Sequence, residues 1–384
     1  MMISPFAGFF YASFRFEPLL GFLSATPTTA WLDGFFLNHS VVTHSYLLEA
    51  QREIGSFIFA LGLWGFLVSA FQVYYNKIRG RGVASGLLYR ISRHPQYLSL
   101  GVAGWGLLTI WPRFLLLGCW VTMLFLYAAL ARFEEQRMEE RFGASYRAFA
   151  GTRGAFLQGS PVRRLFEATF GRMRPRAISW AGAYVFALAL SFFLAFMARG
   201  YTRSQTAAIV QAEHQTVVIS AWPQSTEWIE GVMTQILASA DVQREIAAQQ
   251  GDPVVATILN PGYKMKGMFY LMPDAKRATP SVGRALASIG GIALSFLVPT
   301  SGWLWGDALM GADPDAGDEP VQVVLSKAAK PFKETITLDE VTDPSVRLTP
   351  FLVVDFRPST GEVEEVRVPL PQNRWGPQVV MPIF

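Results

Sequence analysis

The residues best equipped for chemistry fall in two short polar runs separated by a long apolar stretch. The first is Tyr89-Arg90-Ile91-Ser92-Arg93-His94-Pro95-Gln96-Tyr97. The second is Arg132-Phe133-Glu134-Glu135-Gln136-Arg137-Met138-Glu139-Glu140-Arg141-Phe142-Gly143. One run offers imidazole, phenol and guanidinium groups, and the other offers paired carboxylates. Together they suit a ligand that is cationic at one end and aromatic at the other. Both runs abut apolar segments, and ionisable groups pressed against a bilayer core are costly enough that function is their default explanation. Glu139 and Glu140 read instead as a solvated helix face near Arg137 and Arg141.

The elements that must position these runs are membrane helices. Of 384 residues, 51% are hydrophobic and 16% charged, against about 25% charged in soluble domains. The mean hydropathy is +0.27, which puts the chain in the membrane class. Lys and Arg cluster between apolar runs, a membrane-surface pattern with no nucleic-acid-binding module behind it. The single cysteine, Cys119, excludes an intrachain disulfide, and His39 and His44 lack partner ligands, so no metal site is assigned. Asn38-His39-Ser40 matches a glycosylation acceptor, a tripeptide common by chance.

Ile3 to Leu23, interrupted by Arg15 and Glu17, is expected at the membrane interface; it lacks the basic start and cleavage site of a signal peptide. Ile54 to Tyr75 is the cleanest span. It ends in Tyr74-Tyr75 and then Lys77, Arg79 and Arg81, the pattern of a cytoplasmic exit. Leu98 to Ala131 would reach roughly 51 Å at about 1.5 Å per residue, too long for a core of about 30 Å. Trp111-Pro112-Arg113 in its middle predicts two antiparallel helices, with Pro95 at the first helical position of the leading arm. Gly101, Gly104 and Gly106 suit close helix packing in the membrane. A fourth span, Ile178 to Met197, follows Arg163, Arg164, Arg172, Arg174 and Arg176. The positive-inside rule then puts both ends of the hairpin on the cytoplasmic face of a multi-pass protein, of bacterial inner-membrane type, and the two polar runs meet there.

Arg93-His94-Pro95-x-Tyr97, followed by Glu134-Glu135 and then Phe142-Gly143-x-x-Tyr146-x-x-Phe149, resembles the isoprenylcysteine carboxyl methyltransferase and phospholipid methyltransferase family. The resemblance spans roughly residues 54 to 158. It implies that the two runs close over S-adenosylmethionine beside a lipid-facing tunnel. By motif, Tyr89, His94, Pro95, Gln96 and Tyr97 would line the cofactor, with the backbone of Arg81 to Ala84 just upstream. Glu134 falls at the position of the cofactor-contacting carboxylate, with Glu135 beside it. Arg93 and Arg132 are the candidate catalytic residues, and the implied acceptor is a lipophilic O, N or S nucleophile entering from the bilayer. Methyl transfer needs an aligned, desolvated nucleophile more than acid–base help, so orientation supplies much of the rate. Two positions depart from the protein carboxyl methyltransferases. Leu130 stands where they carry a substrate-contacting Arg, and Gln158 follows Phe156-Leu157 where they close on proline.

The expected organisation is an all-α polytopic membrane domain followed by a C-terminal α+β extramembrane domain. Its parts are an apolar segment (1–53), the methyltransferase core (54–160), a basic linker with a further span (161–200) and the α+β domain (201–384). Strands are predicted at 217–219, 321–324, 335–338, 351–354 and 363–368, with one helix from Trp228 to Ala248. Val282 to Trp305 is apolar enough for another span or a buried segment, and Asp313 to Glu319 reads as a solvated turn. Expected partners are membrane lipids and the lipophilic substrate, with no partner of the C-terminal domain named. Two rival readings are a sterol-type membrane reductase, which shares an Arg-His-x-x-Tyr segment, and a non-catalytic anchor for the C-terminal domain. The phosphates of NADPH want Arg or Lys, and Glu134-Glu135 would repel them.

Overall fold

The computed structural model describes residues 27–37, 45–80, 86–151, 154–156, 161–171, 175–205, 208–211, 216–220, 224–249, 253–259, 320–328, 341 and 348–369. These fall into two compact units, a helical one over Gln51–Phe196 and a second that holds a β-sheet. The helical unit comprises α1 (Gln51–Ile78), α2 (Pro95–Ile110), α3 (Phe114–Phe142), α4 (Ala144–Gly151), α5 (Pro161–Thr169) and α6 (Arg176–Ser204), the last running on into the second unit. Among the described residues, Tyr46–Ile78, Phe114–Phe142 and Arg176–Ser204 are long and apolar enough to cross a membrane. These helices support a membrane protein, and two of them cover the segments 54–75 and 178–197 where spans are predicted.

The long apolar stretch breaks where its proline says it should. α2 stops at Ile110, α3 starts at Phe114, and Pro95 opens α2. At 16 residues α2 is about 24 Å long, so it is the short arm of the hairpin against a core of about 30 Å. The arms are antiparallel. Gly101 lies against Leu124, and Gly104 against Trp120 and Met123. Trp120 Nε1 also donates to Gly101 O at 3.0 Å.

α1 packs on the other side of α2 through a seam of glycines set against backbone and small side chains. A Cβ on Gly62 would fall 2.3 Å from Ala103 N, and one on Gly106 would fall 2.3 Å from Phe59 N. Lipid tails are as apolar as leucine, so helices in a bilayer associate through such close packing rather than hydrophobic burial. The outer face of α1 remains apolar, with Phe57, Leu61 and Phe71 exposed. α3 meets α6 through aromatic pairs: Phe114 with Phe196 at 4.6 Å and Phe125 with Tyr184 at 5.3 Å between ring centroids. Thr122 Oγ1 and Tyr184 OH share a hydrogen bond of 2.9 Å there.

The second unit carries six strands in sequence order: β1 (Ala208–Gln211), β2 (Thr216–Ser220), β3 (Val254–Leu259), β4 (Val321–Ala328), β5 (Leu348–Arg357) and β6 (Glu362–Arg367). Neighbours are antiparallel except β2 and β3, which run parallel. Parallel strands need a crossover, supplied by α7 (Thr226–Ala238) and α8 (Ala240–Ala247). α7 buries Ile229, Val232, Met233, Ile236 and Leu237, the spacing of one helical face, against Val254, Ala256, Ile258, Val323, Leu325 and Val354. The single helix expected over 228–248 is two, because Ser239 adopts extended backbone and starts α8. β1 and β3 are additional to the predicted strands. β3 is buried at every residue, so it shows no alternation to read. The segments 1–23, 282–305, 313–319 and 335–338, with Asn38, His39 and His44, lie outside the described residues.

Alanine at a helix-interior glycine should stabilise by about 0.5–1 kcal/mol, whereas overpacking costs about 1–3 kcal/mol. At Gly62 and Gly106 the neighbour is fixed backbone, so overpacking wins. Gly62→Ala and Gly106→Ala are predicted to lower the thermal midpoint in detergent. Gly200→Ala, with no atom within 4 Å of its Cβ, should leave it unchanged or raise it. Equal shifts at all three sites would contradict the glycine seam.

Candidate active site

The leading polar run is shaped before it reaches the hairpin. The 3-10 turn Leu87–Arg90 follows Gly86, and its first residue, Leu87, has φ of 43°. That left-handed conformation is unfavourable for a branched side chain and tends to persist where surrounding structure enforces it. It leaves Tyr89 buried. Ser92, also buried, donates from Oγ to Ala155 O at 2.9 Å and accepts from His94 N at 3.1 Å. Arg93 N donates to Gly154 O and His94 N to Ala155 O, both at 3.1 Å. The segment 154–156 is thus strapped across the residues that enter α2.

His94, at the N-cap of α2, lies between two carboxylates of α3. Its Nδ1 is 3.5 Å from Glu134 Oε2, and its Nε2 is 3.1 Å from Glu135 Oε1. Arg93 Nη2 reaches the same Glu135 oxygen at 3.1 Å. Tyr97 OH donates to Glu134 Oε1 at 2.6 Å. The Tyr97 ring stacks on His94 at 5.8 Å and on Tyr127 at 5.0 Å, and Phe156 of the strap lies 6.2 Å from His94. Burial alone would push the His94 pKa down, but hydrogen bonds to Glu134 and Glu135 and their charges outweigh it, and the net shift is upward. With a carboxylate at each ring nitrogen, the imidazolium is the form the site favours. The two carboxylates differ in availability: the side chain of Glu134 is 48% exposed and that of Glu135 is 23%.

The remaining predicted residues divide. Tyr89 sits within reach of the Glu134 charge, and burial first and that charge second hold its hydroxyl protonated. Pro95 is buried and Gln96 half-buried in the first turn of α2. Arg132 is exposed, with its guanidinium 4.0 Å over the Trp180 ring of α6, while Leu130 is exposed. Glu139 is exposed and lies 3.9 Å from Arg147 of α4. Residues 81–84, 157 and 158 lie outside the described residues.

Four further residues contribute that sequence reasoning did not assign to the site. Ser92 and Phe156 belong to the strap contacts. Tyr127 stacks beneath Tyr97, and its signal was a phenol inside a spanning segment. Tyr146, buried on α4, keeps its proton through burial and the nearby Glu135 charge, while Arg93 pulls the other way. Gly143, with φ of 52°, makes the turn from α3 into α4.

With this geometry established, the comparison with known families is specific. Residues 52–145 match the family model for phospholipid methyltransferases. The match bears out the resemblance drawn from the Arg93-to-Phe149 motifs, and it takes in α1 from its second residue, the hairpin and every residue of the His94 cluster up to Glu135. It covers less than half of the chain and leaves the sheet-bearing unit outside. No curated protein and no solved structure matches the chain. The matched segment is similar to the membrane-embedded core of phospholipid methyltransferases.

Because the pKa of His94 is raised in the folded protein, its contribution to stability is complete below its ordinary value of 6.5. It is lost as pH rises through the raised value. The thermal midpoint of the wild type is predicted to fall across that window, and His94→Gln should remove this part of the pH dependence. A pH profile for His94→Gln that parallels the wild type would refute the clamp.

Proposed function

We propose that this protein is an S-adenosylmethionine-dependent methyltransferase of a multi-pass membrane protein type, acting on a lipophilic acceptor that reaches the site from the bilayer. The observation that carries this reading is a half-exposed carboxylate, Glu134, held by His94 and Tyr97, whose rings stack on each other and, through Tyr97, on Tyr127. Aromatic faces and a carboxylate attract cations, and the proposed cofactor carries a sulfonium and an ammonium. When bound, the cofactor supplies an electrophilic methyl group.

The chain's own residues have separable tasks in this reading. Glu134 attracts the cationic end, and Tyr97 fixes its carboxylate through the 2.6 Å hydrogen bond. Glu135 is engaged by Arg93 and His94, so it orients the imidazole rather than meeting the ligand. Tyr89, Pro95 and Gln96 line the leading side, and the strap 154–156 keeps water from His94. A site of this kind accelerates transfer by orientation and desolvation. Arg132, stacked on Trp180 of α6, stands toward the lipid-facing helices and is assigned to the acceptor side.

Binding of labelled S-adenosylmethionine to detergent-purified protein tests the proposal. Glu134→Gln and His94→Ala should each weaken binding by about tenfold or more, the scale of a lost charge-assisted hydrogen bond. Unchanged affinity in both variants would overturn the site. Mass spectrometry of membrane extracts incubated with methyl-labelled cofactor should reveal a labelled lipophilic product.

A further inference from the structure

Gln72 is a buried amide in a spanning helix that the site as described does not use. It lies on α1, only 8% exposed. Its Nε2 end abuts Gly86, where an added Cβ would come within 2.9 Å. Gly86 O in turn accepts from Tyr89 N at 2.9 Å, so Gln72 backs the turn that presents Tyr89. Among the described residues its Oε1 accepts no hydrogen bond. Ser69, one turn earlier on the same helix, is satisfied locally by donating to Gly65 O at 2.7 Å.

A buried acceptor left unmade costs about 1–3 kcal/mol, and leucine or methionine would fill the same space without that cost. Such exceptions call for an explanation, and a bound group is one of the few available. The partner must be an N–H or O–H donor. A ligand held at Glu134 and reaching past Tyr89 would bring such a donor, since Tyr89 stands three residues from Gly86 and within the influence of Glu134. Glu134 marks a cationic end and Gln72 marks the need for a donor at the other end.

Building on the function proposed above, we infer that Gln72 Oε1 accepts a hydrogen bond from the exocyclic amino group of the cofactor's adenine ring. Gln72 is then a specificity-determining residue contributed by α1, outside both polar runs. It selects an amino-purine over an oxo-purine, because a carbonyl in that position would set two acceptors against each other.

The test is calorimetric binding of S-adenosylhomocysteine and S-inosylhomocysteine to the full-length protein in detergent. The second compound replaces the amino group by a carbonyl. Wild type should prefer the adenosyl compound by about tenfold, and Gln72→Leu should reduce that preference to within about twofold. Gln72→Met serves as a second variant of closer shape, with the same expected outcome, should Gln72→Leu not purify as a folded protein. A preference that survives in the variant overturns the assignment of Gln72, as does a wild type that binds both compounds equally; either result leaves the proposed function standing. A wild type that binds neither compound overturns the proposed function and this inference together.

Discussion

An ionised group beside a bilayer core is tolerable only if its partners are already in place. In this protein such groups are Arg93, Glu134 and Glu135, which close around His94: the imidazole lies between the two carboxylates and Arg93 shares the second. Removing one partner of such a cluster strands the rest, and that penalty commonly exceeds what the intact pair contributes. The cluster therefore constrains the hairpin strongly. α2 and α3 must return to the same level, or two carboxylates and two cations face the membrane unpaired. A slip of one residue would turn the partner away by about 100° on the helix.

The register that satisfies this demand is set by packing that has little to do with charge. Lipid provides no hydrophobic force between helices, so contact surfaces must fit at short range. Gly62 and Gly106 let α1 and α2 approach until their backbones touch. On the opposite side, Trp120 fills the notch at Gly104 and caps Gly101 O with its indole N–H. The large aromatic side chains of α3 and α6 close the remaining space. Small residues on one side of α2 and a large one on the other leave few alternative placements for the helix that carries His94 and Tyr97.

Much of the hairpin and its chemistry was legible because each signal was local or periodic. Pro112 marked the break, Pro95 marked the start of α2, and the polar runs stood out against apolar flanks. That they meet follows from a hairpin returning to its starting side. What escaped depended on contacts between segments with no shared pattern. The strap at 154–156 is held through backbone carbonyls, which every sequence possesses, and only the Ser92 hydroxyl is specific to it. Tyr127 lay inside an apolar run and was read as part of a span. In the second unit, Ser239 looked like one polar residue in a continuous helix, yet its extended backbone separates α7 from α8. β3 gave no alternation because both of its faces are buried.

Glu134 and Glu135 are adjacent in the chain but are not equivalent in space, and the helix is the reason. Successive side chains on α3 diverge by about 100°, so one carboxylate turns toward Arg93 and the other toward Tyr97. Imidazole has two ring nitrogens that point in different directions, and His94 uses one for each carboxylate. Arg93 and His94 converge on one oxygen of Glu135, which uses that group as an anchor. Glu134 is tied by a neutral phenol and a longer contact to His94, and it retains greater exposure. The same pair of residues thus supplies a fixed point and an open negative charge. Exchanging their partners would require rotating α3, which the fit of Trp120 and Gly104 does not permit.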